Sequence, residues 1–173
     1  MKKIISNLLH RFKEDSLAKR TGLVNRVSEY PEREGIKKCL VFWMENPEAA
    51  NWLKALSATF KDVKIDKLCF VADDWEGEEK DGVVVLKSAD LGFGGKIQNA
   101  HVLEILERPY DLLVDLTAES TVMGDYVLSN NQAKCIATMK KENAKGDLII
   151  AGSRNPIDFI EKLNNFLSEV KKY

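Results

Sequence analysis

The sequence predicts a three-layer, Rossmann-like α/β sandwich on a mostly parallel sheet of about six strands, preceded by an N-terminal helix. Short, nearly continuous apolar runs such as "CLVFW" suit strands covered on both faces. These runs alternate with amphipathic stretches of ten or more residues. A chain of 173 residues is also a normal length for one domain. Such a domain buries about 70% of its unfolded surface and needs no staple.

The elements follow in order. "MKKIISNLLHRFKEDSLAKR" places Ile4, Ile5, Leu8, Leu9, Phe12 and Leu17 at helical spacing, with Lys2, Lys3, Arg11, Lys13, Lys19 and Arg20 over most of the other face. Residues 1–35 are read as an N-terminal helical arm and linker, "SEYPEREG" being the punctuated, charged end. A single α/β domain then spans 36–173. "KKCLVFWME" is the first strand. In "NPEAANWLKALSATF", Asn46 caps, Pro47 fits the first turn, and Trp52, Leu53, Leu56 and Phe60 share a face.

"VKIDKLCFVAD" and "VVVL" (83–86) are the second and third strands. The link between them, about residues 73–82, is short for a helical crossover, so a hairpin with an antiparallel third strand is the alternative to a parallel one. A helix over 97–107 stops at Pro109, and "YDLLVDLT" is the fourth strand. "STVMGDYVLSNN" is a helix, "KCIATMK" and "DLIIAG" are strands, and "NPIDFIEKLNNFLSEVKKY" is a closing helix. Its inward set is Ile157, Ile160, Leu163, Phe166, Leu167 and Val170, with Lys171 and Lys172 near the C-terminal end of its dipole.

Charge excludes some function classes. A net charge of −1 gives no global reason for nucleic-acid binding, and basic–aromatic interleaving is absent. Residues 1–20 carry six Lys/Arg against two Asp/Glu, a surplus of +4 that leaves −5 on the remainder. That arm reads either as an interfacial helix on anionic lipid or as a helix packed on its own domain or a second subunit. Glu14 and Asp15 interrupt its basic face, and it holds no Trp. The second reading is preferred, with a homodimer through the arm among its forms. No apolar run approaches a membrane span, and no secretory h-region opens the chain, so the expected location is cytoplasmic.

Cys39, Cys69 and Cys135 each sit in an apolar run, as small buried hydrophobes rather than a disulfide framework. With only two distant histidines, no metal set appears. Ligands of open α/β sheets bind beyond the carboxyl ends of strands. Those ends offer Glu45 and Asn46; Asp73 and Asp74; Ser88 and Asp90; Thr117, Glu119 and Ser120; and Ser153 with Arg154.

"DLGFGGK" (90–96) is the sharpest motif. A P-loop would need Gly at position 90 and a hydroxyl after Lys96, where Asp90 and Ile97 stand; a dinucleotide fingerprint would need Gly at 97. The expectation is a turn, its glycines at positive φ and Phe93 tucked against the core, with Lys96 keeping a minor claim on an anion. "ADDWEGEEKD" packs six acidic residues into the nine from Asp73 to Asp81, without calcium-loop spacing; it reads as a solvated loop. Ser120 lacks a histidine base, since His101 falls within a helix among core-facing neighbours and His10 in the arm. Asp115, inside a strand, needs hydrogen-bond partners or a raised pKa.

The stretches Asp90-Leu91-Phe93-Gly95-Lys96, Tyr110-Asp111-Leu112-Leu113-Asp115-Leu116 and Ser129 with Ala133 resemble an uncharacterised family of small α/β proteins, found mainly in Bacteroidetes. The likeness covers most of 36–173 and departs after Ala133, where that family tends to run Arg-Val-Gly and this chain has Cys135-Ile136-Ala137. It implies a fold and no reaction. "YDLLVDLT" with its following helix is more distantly similar to the N-terminal lobe of heptosyltransferase-like glycosyltransferases, whose donor lobe this chain is too short to contain.

The sequence reading is a non-catalytic α/β binding or interaction protein with no metal and no cofactor. Its ligand-binding candidates are Asp73, Asp74, Asp90, Lys96, Thr117, Glu119, Ser120 and Arg154, for a small anionic ligand. The alternatives are an enzyme of phosphorylated or sugar ligands at the same edge, with Lys96 and Arg154 on the anion, and a membrane-docked protein.

Overall fold

The computed structural model describes residues 2–19 and 26–170. Six strands, β1 (Lys38–Met44), β2 (Lys64–Val71), β3 (Val83–Lys87), β4 (Pro109–Asp115), β5 (Gln132–Met139) and β6 (Leu148–Ile150), form one sheet ordered β3-β2-β1-β4-β5-β6. Every pairing is parallel. The helices are α1 (Lys2–Ala18), α2 (Ala49–Thr59), α3 (Ala100–Glu107), α4 (Val122–Ser129) and α5 (Pro156–Glu169).

Strand parity sorts the core into two clusters. Along β1, Cys39, Val41 and Trp43 join α2 and α5 on one face, while Leu40 and Phe42 join α1, α3 and α4 on the other. Both faces of β1 are therefore buried, which is why its sequence runs apolar without alternation.

The hairpin alternative for β3 is overturned. Val71 pairs in register with Lys87 in the parallel sense, and only residues 72–82 make the crossover. No helix fills this link. Instead Trp75 packs against the α2/α5 core while its charged neighbours stay exposed, so one indole supplies the apolar cover that a helix face would.

The glycine loop is a turn, with Gly94 and Gly95 at φ 79° and 71°. Gly92 N–H donates to Lys96 O at 2.7 Å, and Leu91 bridges Ile97. A Cβ on Gly95 would lie 2.5 Å from the backbone of Ser16, so α1 rests directly on this loop and buries Leu17 there. Phe93, expected in the core, is 74% exposed: the same turn that seats α1 directs it to solvent.

Three further placements differ from the sequence reading. His101 is exposed in the first turn of α3, whose N-cap Asn99 accepts from His101 N–H. Ile157 and Phe166 of α5 are also exposed, and Phe159 is buried in their stead. Asn46 caps one turn early, accepting from Glu48 N–H at 2.9 Å, and α2 proper starts at Ala49. The side chains of Lys2, Lys3, Ile4 and Ile5, with Arg20, Lys171 and Lys172, lie outside the described residues. Of the remaining arm positions, Leu8, Leu9 and Phe12 are exposed and Leu17 is buried. Among the described residues, no helix is long and apolar enough to cross a membrane.

Residues 26–35 are strapped along the domain. Arg26 donates to Ala133 O and pairs with Asp147, Tyr30 donates to Asp147 O, and Arg33 bonds Thr59 O while stacking 4.3 Å over Phe60.

Candidate functional site: the crevice between β1 and β4

The chain winds outward from β1 through β2 to β3, then crosses to β4 and winds the other way. Loops leaving β1 and β4 therefore part, and open α/β sheets bind ligands where they do. Here they leave a crevice of about 510 Å³. Met44, Trp52, Leu116 and Met139 form its apolar wall; Glu45, Asn46, Thr117, Glu119, Lys140 and the turn from Ser153 to Asn155 supply its polar groups.

Buried hydrogen bonds hold this geometry. Asp115 is fully buried, and its Oδ1 accepts from Thr117 N–H at 3.0 Å and Thr117 Oγ1 at 2.7 Å. Its Oδ2 accepts from Thr138 Oγ1 at 2.9 Å and pairs with Lys141 Nζ at 2.5 Å. Lys141 also donates to Thr117 O at 3.0 Å. The partners that a strand carboxylate requires are thus two threonines and a lysine, which lock Thr117 in the crevice wall.

The polar side begins at α5. Asn155 caps this helix, accepting from Asp158 N–H at 2.9 Å. The Arg154 N–H and the Lys162 ammonium hold Asp158 at a pKa of about 2. The Arg154 side chain is 84% exposed and only 3.6 Å from Asp158 Oδ1, which leaves it able to meet a ligand. Ser153 Oγ is buried without a hydrogen-bond partner.

Of the residues singled out in the sequence, Thr117, Glu119 and Arg154 line the crevice together. Ser120 stands beside it with its hydroxyl donated to Glu142 O and Asn143 O. Asp73 and Asp74 are exposed at the start of the 72–82 crossover. Asp90 accepts from Lys87 N–H at 2.8 Å and from Asn99 Nδ2 at 3.2 Å, which makes it the bracket of the turn before the glycine loop. Lys96 is exposed on that loop, away from the crevice lining.

Sequence reasoning missed Lys141 as a working group, and it named Ser153 at a strand end without carrying it into the ligand-binding set. "TMKKEN" does show two lysines beyond a strand end, but only the register that sets Asp115 beside Thr138 selects the second of them. Cys39, Cys69 and Cys135 are free and buried as expected, and burial raises each thiol's pKa, to about 12 for Cys69 and Cys135. Among the described residues no group of three or more His, Cys, Asp or Glu is placed to hold a metal ion.

The model of a family of unknown function (DUF6913) matches residues 8–173. The chain belongs to this family. The match takes in α1 from residue 8 onward, so the DUF6913 unit includes the helix that sits on the glycine loop. No curated protein and no solved structure matches the chain.

Proposed function

We propose that this protein is a non-catalytic ligand-binding α/β protein whose crevice between β1 and β4 takes a small anionic molecule. The observation that carries this reading is the exposed Arg154 guanidinium at a 510 Å³ crevice, beside the N-terminus of α5. An exposed guanidinium and a helix N-terminus together favour negative charge. The Trp52 and Leu116 wall suits an apolar or ring-shaped remainder.

The test is a thermal-shift screen against nucleotides, sugar phosphates and nucleotide sugars. A binder at 100 times its dissociation constant stabilises the protein by about 2.7 kcal/mol. Ala118→Trp, at an exposed crevice position, abolishes the shift. A wild-type protein that answers none of these classes overturns the small-anion reading in favour of a macromolecular partner.

The likeness to glycosyltransferase lobes supports a second reading of the same crevice. Glu45 and Glu119 both line it, so either carboxylate can stand as a general base for sugar transfer. Turnover of a nucleotide sugar that disappears in Glu119→Gln would establish this enzyme; binding without turnover rejects it.

A further inference from the structure

We propose that α1 is a docking face for an anionic lipid surface. Its outward side, with the neighbouring Phe93, lies among lipid headgroups while the α/β domain stays in water.

α1 is turned opposite to a helix that serves only its own core, which would face its apolar stripe inward. His10, Glu14 and Leu17, spaced i, i+4 and i+7, line a small cavity against Phe70, Leu91 and Met123. Of these three helix residues only Leu17 is buried. Leu8 and Phe12, one turn apart, are instead 70% and 63% exposed, and Leu9 is exposed beside them. The glycine loop adds to this surface. Gly95 lies against the Ser16 backbone, and the exposed Phe93 stands two residues from that contact. Two leucines and two aromatic rings thus reach water in one region of the molecule. Single exposed apolar residues need no explanation, but a group of them marks a protein or membrane contact.

Charge decides between those occupants. Residues 1–20 hold a surplus of +4 and the remainder −5. A second copy docked through the same helix, in the isologous manner of most dimers, would set one such surplus against the other. An anionic surface attracts the helix and repels the acidic remainder, which orients the molecule with α1 toward the lipid. Arg11 and Lys19 of α1 and Lys96 of the glycine loop are exposed and supply cations there. Against these three stands Asp15, exposed on the same helix, while Glu14 is turned to His10 at 3.4 Å. Leucine and phenylalanine flanked by lysine and arginine are the elements of an interfacial helix. At 17 residues and with its charges, α1 is not long and apolar enough to cross a bilayer, so it lies in the surface plane.

The test is co-sedimentation of the full chain with vesicles of phosphatidylcholine alone and of phosphatidylcholine mixed with phosphatidylserine. Binding to the mixed vesicles is expected to be at least about tenfold tighter than to the neutral ones, and to weaken as salt rises. Leu8→Gln/Phe12→Gln keeps the charge and is expected to weaken binding by about tenfold or more. Arg11→Gln/Lys19→Gln keeps the apolar set and weakens binding about fivefold for each cation removed. All four positions are exposed, so both variants keep the wild-type melting temperature. Ala118→Trp in the crevice leaves vesicle binding unchanged. No binding to either vesicle, equal binding to both, or undiminished binding by Leu8→Gln/Phe12→Gln overturns the proposal. A wild-type dimer in light scattering that Leu8→Gln/Phe12→Gln dissociates, with no vesicle binding, also overturns it and assigns the face to a second copy.

Discussion

The loops that follow β2 and β3 leave the same edge of the sheet and end as opposites. The glycine loop after β3, read from the sequence as a turn with a minor claim on an anion, is filled by its own protein, the backbone of Ser16 standing where a Gly95 side chain would be. The acidic crossover after β2 looks like solvated chain, and it covers a cavity lined by Leu53, Val83 and Val85. Glycine marks a close approach of something, without saying whether that is ligand or chain. A charged loop reveals which of its atoms face water; a single tryptophan decides what lies beneath.

Perturbations rank by how much each loop has packed behind it. The largest expected loss lies at neither loop and sets their scale: Lys141→Met strands the Asp115 carboxylate in the core and lowers unfolding free energy by about 3–5 kcal/mol in urea titrations. Gly95→Ala comes next, at about 2–4 kcal/mol, because backbone at positive φ and a clash with α1 act together. Gly94→Ala shares the positive φ with nothing within 4 Å and costs about 1 kcal/mol. Equal losses at the two glycines would break the claim that α1 is seated on this loop.

Gly77→Ala, in the crossover, costs about 1 kcal/mol or less, since the indole it meets can shift. Its signature is instead a change in tryptophan fluorescence with the fold intact. Silence in both readouts would mean that Trp75 is not held as a roof.

The smallest effect is far from both loops, at the strap. Burial alone would raise the Asp147 pKa, but hydrogen bonds from Arg26, Ser28 and the Ile136 N–H outweigh it and hold the carboxyl below its ordinary value. A depressed carboxylate contributes stability above its unfolded pKa, near 3.9, and loses it as pH falls through the folded value. Unfolding free energy should therefore decline below about pH 4 in wild type and decline less in Asp147→Asn. Parallel acid limbs for the two proteins would remove Asp147 from the strap's account.

Much of the fold was legible. "CLVFW" and "YDLLVDLT" announce strands through unbroken apolar runs, and Asn155-Pro156 announces the start of α5 by cap chemistry. Asp115 was legible as a residue in need of partners, but its lysine was not, because the two lie 26 positions apart and meet only through the β4–β5 register. The direction of β3 was illegible for a related reason. An eleven-residue link suits a wide hairpin as well as a tight crossover, and the choice rests on where Trp75 finds apolar surface. At the candidate site, Thr117, Glu119 and Arg154 could be named as strand-end groups, whereas Asp90 and Lys96, equally at strand ends, serve the turn and its surface.

By itself the sequence determined the kind and order of elements, the burial of all three cysteines, and the failure of "DLGFGGK" as a phosphate loop through Asp90 and Ile97. These are local matters: periodicity, cap chemistry and residue spacing act over a few positions. Only the tertiary structure decided that β1 and β4 lie side by side and open a crevice, that Lys141 reaches Asp115, and that Trp43 ends with its N–H unpaired. Each of these depends on which strands become neighbours and what a loop covers, and that is set by competition among apolar faces across the whole chain.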